Sequence, residues 1–227
     1  MTQSQIKTKQ RVADYGEVYT SPREVNAMLD LVKQETDRIE SRFLEPACGN
    51  GNFLIEVLNR KLSRISSRYG KSQSEYERYA VSAVSSLYGI DILEDNVHQC
   101  RQRLFAYFHE QYISHFGQFI NDDLPSTVKY ILDRNIVWGD ALTLQTVSPE
   151  TPEETPSKPI TFSEWSLIQN GLIKRRDFTF SELLFQSENN AFPLFSDAGE
   201  DVFIPEPEKE FPPVHYLKIW EMEEAVA

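Results

Sequence analysis

The stretch Leu44-Glu45-Pro46-Ala47-Cys48-Gly49-Asn50-Gly51-Asn52-Phe53 constrains the fold more than any other part of the chain. The apolar pair Phe43-Leu44 leads into it, and Leu54, Val57, Leu58 and Leu62 follow at helical spacing. The stretch is therefore a strand-to-helix turn, and its two glycines let the backbone come close to a ligand with no Cβ in the way. In an open α/β sheet such a turn is where ligands bind. A dinucleotide site would want G-x-G-x-x-G and no acid aimed at the phosphates. Here the third glycine is absent and Glu45 ends the strand, which favours a ligand bearing an ammonium group.

The rest of the first 145 residues supports an α/β reading. Ser21-Pro22-Arg23-Glu24 combines an N-cap serine, a proline at the first helical position and a glutamate placed for a capping box. Val25, Met28, Leu29 and Val32 follow at helical spacing and predict a buried face. Residues 67–79 are polar, contain Gly70 and read as an inserted loop. Leu87-Tyr88-Gly89-Ile90-Asp91 reads as a second strand, a long helix carries Val97, Cys100, Leu104 and Phe108, and Asn135-Ile136-Val137-Trp138 reads as a third strand before Gly139-Asp140. This alternation predicts a parallel sheet with crossover helices. Residues 146–159 hold four prolines and three glutamates and read as a linker. Beyond it, 160–227 is aromatic and acidic without a sustained period, so an irregular extension is expected, with 186–213 extended or partly disordered.

Charge and composition narrow the partners. The net charge of −12 argues against a chain that grips DNA alone, because a basic face supplies most of that affinity. The basic clusters are local: Lys7, Lys9 and Arg11; Arg60, Lys61 and Arg64; Lys174, Arg175 and Arg176. No apolar run approaches the roughly 20 residues of a membrane helix, and the polar start does not look like a secretory signal. Cys48 and Cys100 form neither a disulfide framework nor a metal-ligand pattern. A cytoplasmic protein without a metal site is expected.

LEPACGNGNF resembles motif I of the amino-methylating DNA methyltransferases, D-P-A-C-G-S-G-x-F. Upstream, Gly16-Glu17-Val18-Tyr19-Thr20-Ser21-Pro22 resembles the family's G-x-x-x-T-P element with a serine inserted before the proline. Downstream, Tyr88-Gly89-Ile90-Asp91-Ile92 resembles motif II and Trp138-Gly139-Asp140-Ala141-Leu142 resembles the G-D-A-L of motif III. The order is that of the γ arrangement of N6-adenine enzymes from restriction–modification systems. The resemblance implies a Rossmann-like fold that binds S-adenosylmethionine and transfers its methyl group to adenine in DNA. The cofactor-binding residues it implies are Tyr19 and Thr20; Glu45, Pro46, Ala47, Cys48, Gly49, Asn50, Gly51 and Phe53; Asp91 and Ile92; Asp140 and Ala141. Tyr19 and Thr20 would lie at the methionine end, Asp91 would accept both ribose hydroxyls, Ile92 would pack on the adenine ring, and Asp140 would take the adenine amino group or lie near the target base. An isolated strand-end Asp is often a helix N-cap, but three strand-end acids in order beside a G-x-G turn point to a ligand. Cys48 reads as a small buried residue of the turn and not as a nucleophile.

The sequence departs from the family after motif III. The family positions a flipped adenine with [D/N/S]-P-P-[Y/F/W] after its fourth strand, and no such tetrapeptide occurs here. The double proline in Phe211-Pro212-Pro213-Val214 lacks both the polar and the aromatic neighbour. Pro159–Trp165 is the candidate fourth strand, with Ser163 and Trp165 as a polar–aromatic catalytic pair one residue too closely spaced; Trp165 otherwise reads as a core aromatic. The chain also lacks the length for the family's target-recognition domain. Two readings stay open: a split adenine methyltransferase that needs DNA and a partner polypeptide, or a catalytically degenerate S-adenosylmethionine-binding scaffold or sensor. A methyltransferase for another acceptor, RNA or protein, is a third.

Overall fold

The structure is a computed structural model that describes residues 8–15, 17–147, 157–189 and 206–222. In chain order its elements are α1 (Lys9–Tyr15), α2 (Pro22–Leu31), α3 (Lys33–Thr36), β1 (Phe43–Glu45), α4 (Asn52–Tyr69), α5 (Gln73–Ser85), β2 (Leu87–Asp91), α6 (Glu94–Phe116), α7 (Asp123–Asn135), β3 (Ile136–Asp140), β4 (Gln145–Thr146), β5 (Thr161–Leu167), β6 (Leu172–Thr179), α8 (Phe180–Asn189), β7 (Lys209–Glu210) and β8 (Val214–His215). Three short 3-10 segments, Gly117–Phe119, Gln169–Gly171 and Tyr216–Met222, complete them. The protein is a mixed α/β structure. Among the described residues no helix is long and apolar enough to cross a membrane, and no cluster of His, Cys, Asp and Glu could hold a metal ion.

The first sheet has the order β1-β2-β3-β4, with β1, β2 and β3 parallel and β4 antiparallel to β3. Strand β2 is buried along its whole length, as a central parallel strand should be. Its side chains alternate between two cores. Leu87 joins a cluster with Val57, Leu58, Leu62, Leu104, Phe108 and Ile131 from α4, α6 and α7. Tyr88 and Ile90 point the other way, onto Ile160, Phe162 and Phe180. Helices thus cover one face of the parallel strands, and the C-terminal part of the chain covers the other.

Local sequence signals set the elements that frame the site. The capping box on α2 forms, with the Glu24 amide donating to Ser21 Oγ and the Ser21 amide to Glu24 Oε2 at 3.1 Å. Only Val25 and Leu29 of the expected apolar face are buried; Met28 and Val32 are exposed, because the helix stops at Leu31 and Met28 faces a cavity. On α6 all four expected core residues, Val97, Cys100, Leu104 and Phe108, are buried.

Two expectations are corrected. Residues 67–79 are not a loop: α4 runs to Tyr69, a tight turn follows, and α5 begins at Gln73, with Tyr69 and Tyr79 stacked at 4.0 Å. The polar residues there mark the solvated sides of two helices. The described part of 160–227 is not irregular either. Strands β5 and β6 form an antiparallel hairpin from Thr161↔Thr179 to Leu167↔Ile173, extended by β7 and β8 on β6. Trp165, Ile173, Phe211, Tyr216, Ile219 and Met222 join the same core as the helices. Residues 190–205, within the stretch expected to be extended or disordered, lie outside the described residues, as does most of the 146–159 linker.

The hairpin hid its period because polar residues occupy inward positions. Arg175 and Asp177 of β6 are both buried and paired, with Arg175 Nη2 2.6 Å from Asp177 Oδ2 and Arg175 Nε donating to Ser163 Oγ at 2.9 Å. Ser163 Oγ in turn donates to Asp177 Oδ1 at 2.7 Å. Removing one partner of such a pair leaves a buried charge unmatched, which costs about 3–5 kcal/mol. Asp177→Ala is expected to lower stability by that order in urea unfolding, whereas a loss under about 1 kcal/mol would show the pair to be solvated.

Candidate functional site

The turn after β1 is held by backbone and by one carboxylate. The Cys48 amide donates to Ile90 O at 2.9 Å, which fixes the turn beside the end of β2. Gly49 and Gly51 both have positive φ, +51° and +88°, a region that side-chain-bearing residues avoid. At Gly51 an added Cβ would also lie 2.8 Å from Cys100 Sγ, so α4 and α6 approach closely only with glycine there. Asp91 Oδ2 accepts the Gly49 amide at 2.8 Å, and Oδ1 accepts the Leu93 amide at 2.9 Å and Asn96 Nδ2 at 3.2 Å. One buried carboxylate therefore joins the glycine turn to the start of α6. A carboxylate has about four acceptor positions, so three donors leave room for a further one.

Asn96 extends this network to the N-terminal segment. Its Nδ2 donates to Glu17 Oε1 at 2.7 Å, and Glu17 also accepts Arg11 Nε at 2.5 Å and the Tyr19 hydroxyl at 3.2 Å. Arg11 bridges on to Asp95 at 2.7 Å. Asn52 Nδ2, at the first turn of α4, donates to Thr20 O at 3.2 Å. Residues 17–20 are thereby laid across the mouth of the glycine turn.

These segments enclose a cavity of about 560 Å³ at the C-terminal ends of β1, β2 and β3. Among the described residues its lining carboxylates are Glu17, Glu45, Asp91 and Asp140, and no Lys or Arg lines it. Burial pushes the Glu45 carboxyl above the usual range, opposed by a hydrogen bond from the Ala47 amide. Asn50 Oδ1 is a buried acceptor with no hydrogen-bond partner, and Asn50 lines the same cavity. The Cys48 thiol is raised by its hydrogen bond with Cys100 and by burial, so it is a poor nucleophile. Asp140 Oδ1 accepts the Leu142 amide at 2.8 Å, capping the turn after β3 and leaving Leu142 exposed at the rim.

Of the expected cofactor residues, Tyr19, Thr20, Glu45, Pro46, Ala47, Cys48, Gly49, Asn50, Phe53, Asp91, Ile92, Asp140 and Ala141 all line this cavity. Gly51 lies beneath it, against Cys100. Glu17, Val18, Met28, Leu93, Asn96, Gly139 and Leu142 line the cavity as well, beyond those named from the sequence, and Asn52 of the glycine turn is also in the lining. Asn96 had a legible signal, a polar residue beside Val97 on the inward side of a helix, and it is buried. Ser163 and Trp165 are elsewhere. They stand on β5, which pairs antiparallel with β6 and is not a fourth parallel strand. Ser163 is bound to Arg175 and Asp177, and Trp165 Nε1 donates to Asn135 Oδ1 at 3.1 Å. Comparison with protein-family models, curated proteins and solved structures finds no match to the chain.

The carboxylate of Glu45 is disfavoured by burial, so its ionisation costs the folded state stability as pH rises through its elevated pKa. Glu45→Gln is expected to raise the melting temperature of the ligand-free chain near neutral pH, the gain vanishing as the solution is acidified below the ordinary glutamate range. An equal gain at all pH values would assign the effect to packing instead.

Proposed function

We propose that this cavity binds S-adenosylmethionine on a Rossmann-like α/β domain, and that the chain is the cofactor-binding part of a DNA adenine-N6 methyltransferase of a restriction–modification or phage-defence system. The observation that carries the reading is the charge of the cavity. Four separate chain segments with the spacing of the resembled motifs converge on it, and among the described residues the Asp, Glu, Lys and Arg side chains lining it are all acidic, with Glu17 paired to Arg11 and Glu45, Asp91 and Asp140 in no ion pair. A cation is favoured in such a field, and S-adenosylmethionine carries both an ammonium and a sulfonium. The unmatched Asn50 Oδ1 and the carboxylate of Glu45 are acceptors for the ammonium. Asp91 keeps an acceptor position for a ribose hydroxyl, and exposed Ile92 offers an apolar surface to the adenine. The cofactor supplies an electrophilic methyl group when bound; this chain's residues bind and orient it.

The acceptor side is proposed to come from a partner. Ser163 and Trp165 are committed to the second sheet, so the polar–aromatic pair that would hold a flipped adenine is assigned to another polypeptide, which would also supply cations for the DNA backbone. The same commitment favours a second reading, a binding module that senses S-adenosylmethionine within a larger assembly.

Calorimetry tests the cofactor and then separates the readings. S-adenosylmethionine is expected to bind the wild type and to lose at least about tenfold in affinity, about 1.4 kcal/mol, in Asp91→Ala and in Gly51→Val; absence of binding to a folded wild-type chain would overturn the proposal. Methyl transfer to adenine-containing DNA that appears only when a neighbouring polypeptide is added supports the split enzyme. Binding without transfer in either setting supports the module.

A further inference from the structure

A second cavity, also of about 560 Å³, lies at the opposite end of the parallel strands. Arg42 precedes β1 and Ser85-Ser86 precede β2, so this cavity opens at the N-terminal strand ends while the first opens at the C-terminal ends. Its chemistry is reversed. Two guanidiniums, Arg42 and Arg78, line it from different elements, against a single lining carboxylate, Glu40. Arg78 stands over the Tyr79 ring, 5.0 Å from its centroid, and forms no ion pair among the described residues. Arg42 shares its partner, Glu164, with Arg176, so that carboxylate neutralises the two guanidiniums only in part.

A buried amine lies behind the wall. Lys61 of α4 is fully buried, and its amine donates to Ile39 O at 2.9 Å, to Ser41 O and to Ser86 Oγ, with no carboxylate in ion-pair contact among the described residues. Ser86 also lines the cavity, so this amine sits one hydroxyl behind its surface. Burial pulls the Lys61 pKa down to about 7, against the opposing pull of the Glu40 and Glu35 carboxylates. An anion in the cavity would favour its charged form.

The geometry points to a phosphate-binding site for a mononucleotide-sized ligand. Guanidinium forks match phosphate oxygens bidentately, and Ser82 and Ser166 add hydroxyls to the lining. A cavity of this volume has the size of a small-molecule pocket and exceeds the needs of a bare phosphate. Leu167 and the exposed Ile168 in its wall provide apolar surface for the organic part of the ligand. The site goes beyond the ligand proposed for the first cavity and shares no lining residue with it.

Titration calorimetry of the full chain with uridine 5′-monophosphate, and separately with inorganic phosphate, tests this. The nucleotide is expected to bind the wild type at least about tenfold more tightly than phosphate does, and to lose about tenfold or more in Arg78→Ala and in Arg42→Ala. Arg78→Lys, which keeps the charge, should recover part of that loss, and S-adenosylmethionine titrations should not respond to any of these variants. No nucleotide binding to the wild type, equal affinities for nucleotide and phosphate, or unchanged nucleotide affinity in a folded Arg42→Ala/Arg78→Ala double variant would each overturn the proposal. A wild type that binds the nucleotide but not S-adenosylmethionine would overturn the first cavity's reading and leave this one standing.

Discussion

The carboxylate of Asp91 is the interaction on which the rest of the candidate site depends. It is buried, and burying a charge is costly unless hydrogen bonds replace its water. The Gly49 amide, the Leu93 amide and Asn96 Nδ2 provide that replacement from three places in the chain. Hydrogen bonds to charged groups contribute about 1.5–3 kcal/mol each, so the glycine turn and the first turn of α6 are fixed to β2 and to each other. Asn96 carries the constraint on to Glu17 and thence to Arg11 and Tyr19. The mouth of the cavity is thus built from segments distant in sequence but tied to one side chain.

A second polar contact joins the two halves of the chain. Asn135, at the junction of α7 and β3, donates to Ser85 O at 3.1 Å and accepts from Trp165 Nε1. It connects the entrance of β2 to the hairpin that packs below. Both ends of β2 therefore border a cavity. The C-terminal end bears the acidic cavity, the N-terminal end bears the basic one, and the strand between them is buried on both faces.

The part of the fold legible in the sequence is the part governed by local rules. Gly49 and Gly51 mark backbone that needs positive φ, the capping box announces α2, and Glu45, Asp91 and Asp140 mark strand ends that converge on one cavity. What the sequence concealed was governed by tertiary partners. The inward positions of β6 hold Arg175 and Asp177, which interrupt the apolar alternation that identifies a strand, and their pairing with each other, with Ser163 and with Tyr130 makes them tolerable there. Ser163 looked available for chemistry because its partners lie 12 and 14 residues away in sequence. Lys61 read as one of a local basic cluster, yet its amine is satisfied by carbonyls of the chain segment before β1. Met28 follows the helical period of α2 but faces the cavity and not the core.

The central claim is that residues 17–20, the glycine turn and the start of α6 form one ligand-binding unit held through Asp91. Amide hydrogen exchange with and without S-adenosylmethionine tests it most directly. The expected result is joint slowing of exchange in 17–20, 45–52 and 91–96 on addition of the ligand, with β5 and β6 unchanged. Slowing confined to the β5–β6 hairpin, or no change anywhere in a folded chain, would contradict the account.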